Sequence, residues 1–151
     1  MLIDHVDRHL PAAGSLVRAA VVPAMYLAWC GNLHLLSPAF QEAHGELLTR
    51  LRYQDLSPAE FFTGVTDGAI HADMLSGEGR AFTEHYYPEY LSDFESVFGD
   101  DVYGVKDDWA AYERIAGLLT RRFMTFRDGG RRALRRAGKG AGRRWWQVWR
   151  R

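Results

Sequence analysis

Residues Asp67 to Phe98 read DGAIHADMLSGEGRAFTEHYYPEYLSDFESVF, and the period of the aromatics in this stretch sets the fold class. Asp67-Gly68 is a turn signal. Ala69 to Leu75 suits an extended link or a short helical turn. Ser76 then precedes Gly77-Glu78-Gly79. A serine there can accept from the first free N–H groups of a helix, and Glu78 would meet the positive end of its dipole. Phe82, Tyr86 and Tyr90 recur every four residues, with Tyr87, Leu91, Phe94 and Phe98 alongside. That spacing predicts a long helix with a wide apolar face against a core. Glu84, Glu89, Asp93 and Glu95 line its other flank. Buried tyrosine hydroxyls in such a stripe need polar partners. Pro88 has no N–H to give and predicts a kink near Tyr87.

Upstream, residues 16–36 (LVRAAVVPAMYLAWCGNLHLL) are apolar on nearly every side, which places a helix at the centre of the core. Proline favours a first turn, so the main helix is expected from Pro23 to Leu35, with Met25, Leu27, Trp29 and Leu33 buried. Leu36-Ser37-Pro38-Ala39 recurs as Leu56-Ser57-Pro58-Ala59. Each copy pairs a capping serine with a proline suited to the first helical position, and Glu60 completes a capping box with Ser57. Helices are expected from Pro38 to about Arg52 and from Pro58 to about Val65. Residues 1–15 read as a loose lead-in. His5 and His9 have ligand spacing for a helix, but two histidines near a terminus are ordinary, and they read as solvated.

Downstream, Gly99-Asp100-Asp101 ends the aromatic helix, and Asp107 or Asp108 can cap a last one from Asp108 to Phe126. Trp109, Tyr112, Ile115, Ala116, Leu119, Phe123 and Phe126 fall on an arc of about 120° there, with Arg114 and Arg121 facing water. Asp128-Gly129-Gly130 reads as a stop. The expected architecture is all-α, a single compact bundle of five or six helices. An acidic domain, residues 1–127, carries a flexible basic Gly/Arg/Trp tail, residues 128–151.

A zero net charge conceals this asymmetry. Residues 1–126 hold nine Lys/Arg against eighteen Asp/Glu, and residues 127–151 hold ten against one. Opposed halves imply an electrostatic partner for one of them. A single cysteine, Cys30, leaves no internal disulfide and fits a reducing cytoplasm. It reads as a small buried hydrophobe. The longest apolar run, residues 19–30, is too short to span a bilayer, and the N-terminus has no secretory pattern.

No phosphate loop, zincin, nucleophile-elbow, dinucleotide or paired-cysteine zinc pattern occurs, so no cofactor or metal is expected. Two groups of residues stand out. His71, Asp73, Glu78, Glu84 and His85 could gather two imidazoles and carboxylates for a divalent metal or for acid–base work. Metal-binding or hydrolytic chemistry would then rest on His71, Glu78 and His85. Acids and histidines are also ordinary on a helix surface. The second group is Arg143, Arg144, Trp145, Trp146 and Trp149. Arginine interleaved with tryptophan suits nucleic acid or an anionic membrane, and equally suits docking on the acidic body or keeping the chain end soluble.

Met25-Tyr26-Leu27-Ala28-Trp29, Ser57-Pro58-Ala59-Glu60-Phe61-Phe62, Asp67-Gly68, Leu75, Glu78-Gly79, Phe82, Tyr86-Tyr87, Tyr90-Leu91 and Asp93-Phe94 together resemble a family of small uncharacterised bacterial all-helical proteins. The resemblance runs from about Val21 to Phe126, and Pro88 departs from it. The closing Trp-Trp with basic flanks is similar to the C-termini of small proteins encoded near secreted bacterial toxins. The resemblance implies a cytosolic helical domain with no catalytic residues to carry over. By analogy it implies an immunity protein that neutralises a cognate toxin by direct association. The partner surface expected on that reading is Asp67, Asp73, Glu78, Glu84, Glu89 and Asp93.

Overall fold

The structure, a computed structural model, describes the backbone of residues 1–149 and the side chains of residues 1–137. In chain order it places β1 (Leu2–His5), α1 (Val6–Ala13), α2 (Leu16–Asn32), α3 (Pro38–Ala43), α4 (Gly45–Arg52), α5 (Pro58–Val65), β2 (Ala69–His71), α6 (Gly77–Phe98) and α7 (Trp109–Trp149). Short 3-10 turns lie at Ala72–Met74 and Val102–Gly104. The class is all-α. The described residues form seven α-helices where five or six were expected, and add a two-stranded antiparallel ribbon. They divide into two compact units, Met1–Leu119 and Thr120–Arg151.

In the first unit α2 is central, packed chiefly against α1 and α5. It starts at Leu16, ahead of Pro23, because Ser15 caps it by accepting from the Arg18 N–H at 3.3 Å. A mid-helix proline costs about 3 kcal/mol. That loss is offset here because every residue from Ala19 to Gly31 is buried, each large apolar side chain contributing roughly 1.5–3 kcal/mol. Met25, Leu27 and Trp29 have no exposure. Leu33, expected in the core, is half-buried, since α2 ends at Asn32 and Leu33 is its C-cap. Cys30 is wholly buried, and burial pushes its thiol pKa far up, so it is an inert hydrophobe.

The helix expected from Pro38 to Arg52 is two helices. His44 donates its N–H to the Phe40 carbonyl and accepts from Leu48, so it ends α3 and begins α4. The Ser57 capping box is present at 3.2 Å and 3.0 Å. Asp107 and Asp108 divide their labour. Asp108 caps α7 through the Ala111 N–H at 2.8 Å. Asp107 reaches back fifty residues to α5, accepting from the Ser57 hydroxyl at 2.5 Å and the Ala59 N–H at 2.9 Å. A carboxylate at a helix N-terminus with two donors is a cap from outside the helix. Asp107→Ala is therefore expected to cost about 1–2 kcal/mol in urea unfolding, and a loss below a few tenths would show that the contact contributes nothing.

Along α6, Gly79, Phe82, Thr83, Tyr86, Tyr90 and Phe94 are buried. The aromatic stripe is core, as expected. Leu91 is not part of it and is 41% exposed. The hydroxyls find partners: Tyr90 donates to the Val22 carbonyl at 2.6 Å, and Tyr26 bonds Thr83 at 2.7 Å. Pro88 does not interrupt α6. It sits on the exposed side of the helix, as does Glu84 one turn before it. In α7, Tyr112, Ile115 and Leu119 are buried, and the Tyr112 hydroxyl accepts from the Asn32 amide at 2.8 Å. Burial raises the Tyr112 phenol to about 12. Arg114, expected to face only water, donates to the Val97 carbonyl at 2.7 Å and lies over the Phe98 ring at 4.8 Å.

In the second unit Phe123 is buried, with the Arg127 guanidinium 5.4 Å from its ring centre. The stop expected at Asp128-Gly129-Gly130 does not occur, because α7 passes through it. Two glycines cost a helix only about 1 kcal/mol each, and neither takes the left-handed conformation that closes helices at Gly14. Of the tail expected flexible at residues 128–151, the part beyond residue 137 lies outside the described side chains.

Candidate functional site

The N-terminal segment is no loose lead-in. β1 pairs antiparallel with β2, Leu2 opposite His71 and Asp4 opposite Ile70. This pairing turns Asp4 inward, where it is 3% exposed. Three other segments meet it there. His9 of α1, expected to be solvated, is buried and bonds Asp4 Oδ2 through Nε2 at 2.7 Å. Tyr87 of α6 donates its hydroxyl to the same oxygen. The Tyr103 hydroxyl, from the 3-10 turn at Val102–Gly104, meets His9 Nδ1 at 2.6 Å. The His5 N–H donates to Asp4 Oδ1 at 2.8 Å. The His5 side chain caps α1, its Nδ1 accepting from the Asp7 N–H at 3.0 Å.

Burial alone would raise the Asp4 carboxyl, but the bonds from His9 and Tyr87, the charge of His9 and the His5 N–H outweigh it. The net effect holds Asp4 below its ordinary value of 3.8. An ionised carboxylate only accepts, so Nε2 of His9 is the donor to Asp4, and Nδ1 shares the second bond with the Tyr103 hydroxyl. Tyr87 is pushed well above the usual phenol range, first by burial and then by the Asp4 charge. Both Asp4 oxygens are occupied, which leaves this cluster suited to tying β1, α1, α6 and the 3-10 turn together, and ill suited to taking a proton from a substrate.

Beside the cluster lies a cleft of about 300 Å³ lined by Met1, Leu2, Ile3, Arg8, Thr83, Glu84, Tyr87 and Pro88. Of the six acids expected as partner surface, Asp67, Asp73, Glu78, Glu84 and Glu89 are exposed. Glu84 pairs with Arg80 at 2.8 Å. Asp93 is half-buried and accepts the Tyr86 hydroxyl at 2.7 Å. The spacing of seven residues, two helical turns, already set Asp93 over Tyr86. Among the described residues no three His, Cys, Asp or Glu side chains come together as a group that could hold a metal ion, and His71, Glu78 and His85 make none. Arg143, Arg144, Trp145, Trp146 and Trp149 lie outside the described side chains. No described helix is long and apolar enough to cross a membrane.

These features define a small all-α domain closed by a β-ribbon and a buried polar cluster, with an acidic outer surface. The chain belongs to the family described as Domain of unknown function (DUF7832), which it matches over residues 2–105. The match takes in β1, Asp4 and His9, which lie ahead of the stretch that carried the sequence resemblance, together with Tyr87 and Tyr103, and it stops before α7. No curated protein and no solved structure matches the chain.

Proposed function

We propose that this is a binding protein, an immunity-type inhibitor that neutralises a cognate secreted toxin by direct association through its acidic surface. The observation that carries the reading is charge placement. The first unit, residues 1–119, holds seven Lys/Arg against eighteen Asp/Glu, a net of −11, and Asp67, Asp73, Glu78, Glu84 and Glu89 lie on its outside. Such a surface steers a basic partner and covers the kind of cationic groove a nuclease toxin presents. The toxin enters by the resemblance noted above. Asp93 contributes least, because it is already engaged by Tyr86.

The test is co-expression of the full chain with any secreted-toxin domain found encoded beside it, followed by co-purification and a growth assay. Protection and a stable complex are expected. Changing Glu78, Glu84 and Glu89 together to Lys should weaken association at least tenfold, mainly by slowing the on-rate, with a steeper loss at low salt. If the wild-type chain neither protects nor co-purifies with that toxin, the reading fails.

A further inference from the structure

The second unit, residues 120–151, holds twelve Lys/Arg and one acid, Asp128, a net of +11. Within α7, Arg131, Arg132, Arg135 and Arg136 are all exposed. At about 100° per residue they occupy an arc of about 140°. Ala133, Leu134 and Ala137 occupy the opposite arc, of about 100°. They too are exposed, and Leu134 is 75% accessible to water. One helix therefore presents a cationic side and an aliphatic side to solvent at once.

We propose that this part of α7 is an in-plane membrane-binding helix that takes an anionic lipid surface as its partner. The aliphatic side decides between polyanions. Nucleic acid would neutralise the arginines and leave Leu134 in water. A lipid surface satisfies both sides: the arginines reach headgroup phosphates while Ala133, Leu134 and Ala137 enter the acyl boundary. In the sequence beyond, Lys139, Arg143, Arg144, Arg150 and Arg151 add cations, and Trp145, Trp146 and Trp149 add aromatics. Tryptophan favours the headgroup level. No described helix is long and apolar enough to cross a bilayer, and a helix with one cationic and one aliphatic side suits the interface plane.

The test is co-sedimentation of the full-length chain with vesicles of phosphatidylcholine alone and of an equal mixture with phosphatidylglycerol, at low and high salt. Binding is expected to the mixed vesicles only, and to weaken with salt. Each arginine near such a surface is worth roughly fivefold. Replacing Arg131, Arg132, Arg135 and Arg136 with Gln should thus lower partitioning on the order of a hundredfold or more. Leu134→Gln should lower it roughly three- to tenfold without changing the salt slope. All five positions are exposed, and matching circular dichroism spectra of wild type and variants establish that the loss is one of binding. Equal binding to neutral vesicles, or no binding to either, overturns the proposal. So does tighter binding to duplex DNA or single-stranded RNA that is indifferent to Leu134→Gln.

Discussion

Asp4→Ala is expected to destabilise the fold by about 3–5 kcal/mol, the usual consequence of removing one partner from a buried, hydrogen-bonded charge cluster. Asp4 receives His9, Tyr87 and the His5 N–H. Its loss leaves the buried His9 imidazole and the half-buried Tyr87 phenol without their acceptor. Near the midpoint this amounts to a drop in Tm of about 10 °C or more. The pH dependence carries a sign. The folded carboxyl lies below its ordinary 3.8, so its stabilisation is complete above that value and is lost as pH falls through the lowered one. The gap between wild type and Asp4→Asn, which keeps the shape and loses the charge, should therefore begin to narrow only as pH falls below the ordinary 3.8 and close below the lowered folded value. Thermal melts across pH decide it. A melting temperature for Asp4→Ala within two or three degrees of wild type at neutral pH would show that the cluster holds nothing together.

Gly79→Ala should cost about 3 kcal/mol, at the upper end of overpacking. An added Cβ would stand 2.4 Å from the Leu35 carbonyl oxygen and 3.0 Å from Leu35 Cβ. Neither chain can yield cheaply. The Ser76 N–H donates to that same oxygen at 2.8 Å, the Ser37 N–H donates to Met74 at 2.9 Å, and Leu36 bridges Leu75. Gly77→Ala is the matched control two residues earlier, since a Cβ there meets nothing within 4 Å. It should be neutral or stabilising by up to about 1 kcal/mol. Urea denaturation of the two variants side by side is the measurement, and equal midpoints would refute the close approach.

What could be read from the sequence was local. The Ser57–Glu60 capping box involves residues three apart, and it formed as read. The burial of Met25, Leu27 and Trp29 followed from a helix apolar on every side. The aromatic face of α6 followed from its period. His44 escaped notice because a single residue that caps two helices leaves no gap in the helical pattern. Gly129-Gly130 misled because glycine permits a helix to end without requiring it.

Of the candidate surface, the exposed acids of α6 could be placed on its outer flank from spacing, and Asp93 could have been placed over Tyr86 in the same way. The buried cluster could not. His9 lies ninety-four residues from Tyr103, and Asp4 eighty-three from Tyr87. Periodicity and composition report only on neighbours along the chain, so an aspartate beside histidines near a terminus reads as solvated surface. The sequence by itself determined the helical class, the central apolar helix and the acidic and basic halves, because each follows from local period or from charge. Only the tertiary structure decided that residues 2–5 pair with β2 and that Asp4 and His9 are buried. A charge is worth burying only when its partners arrive from elsewhere in the chain, and their arrival is a property of the fold.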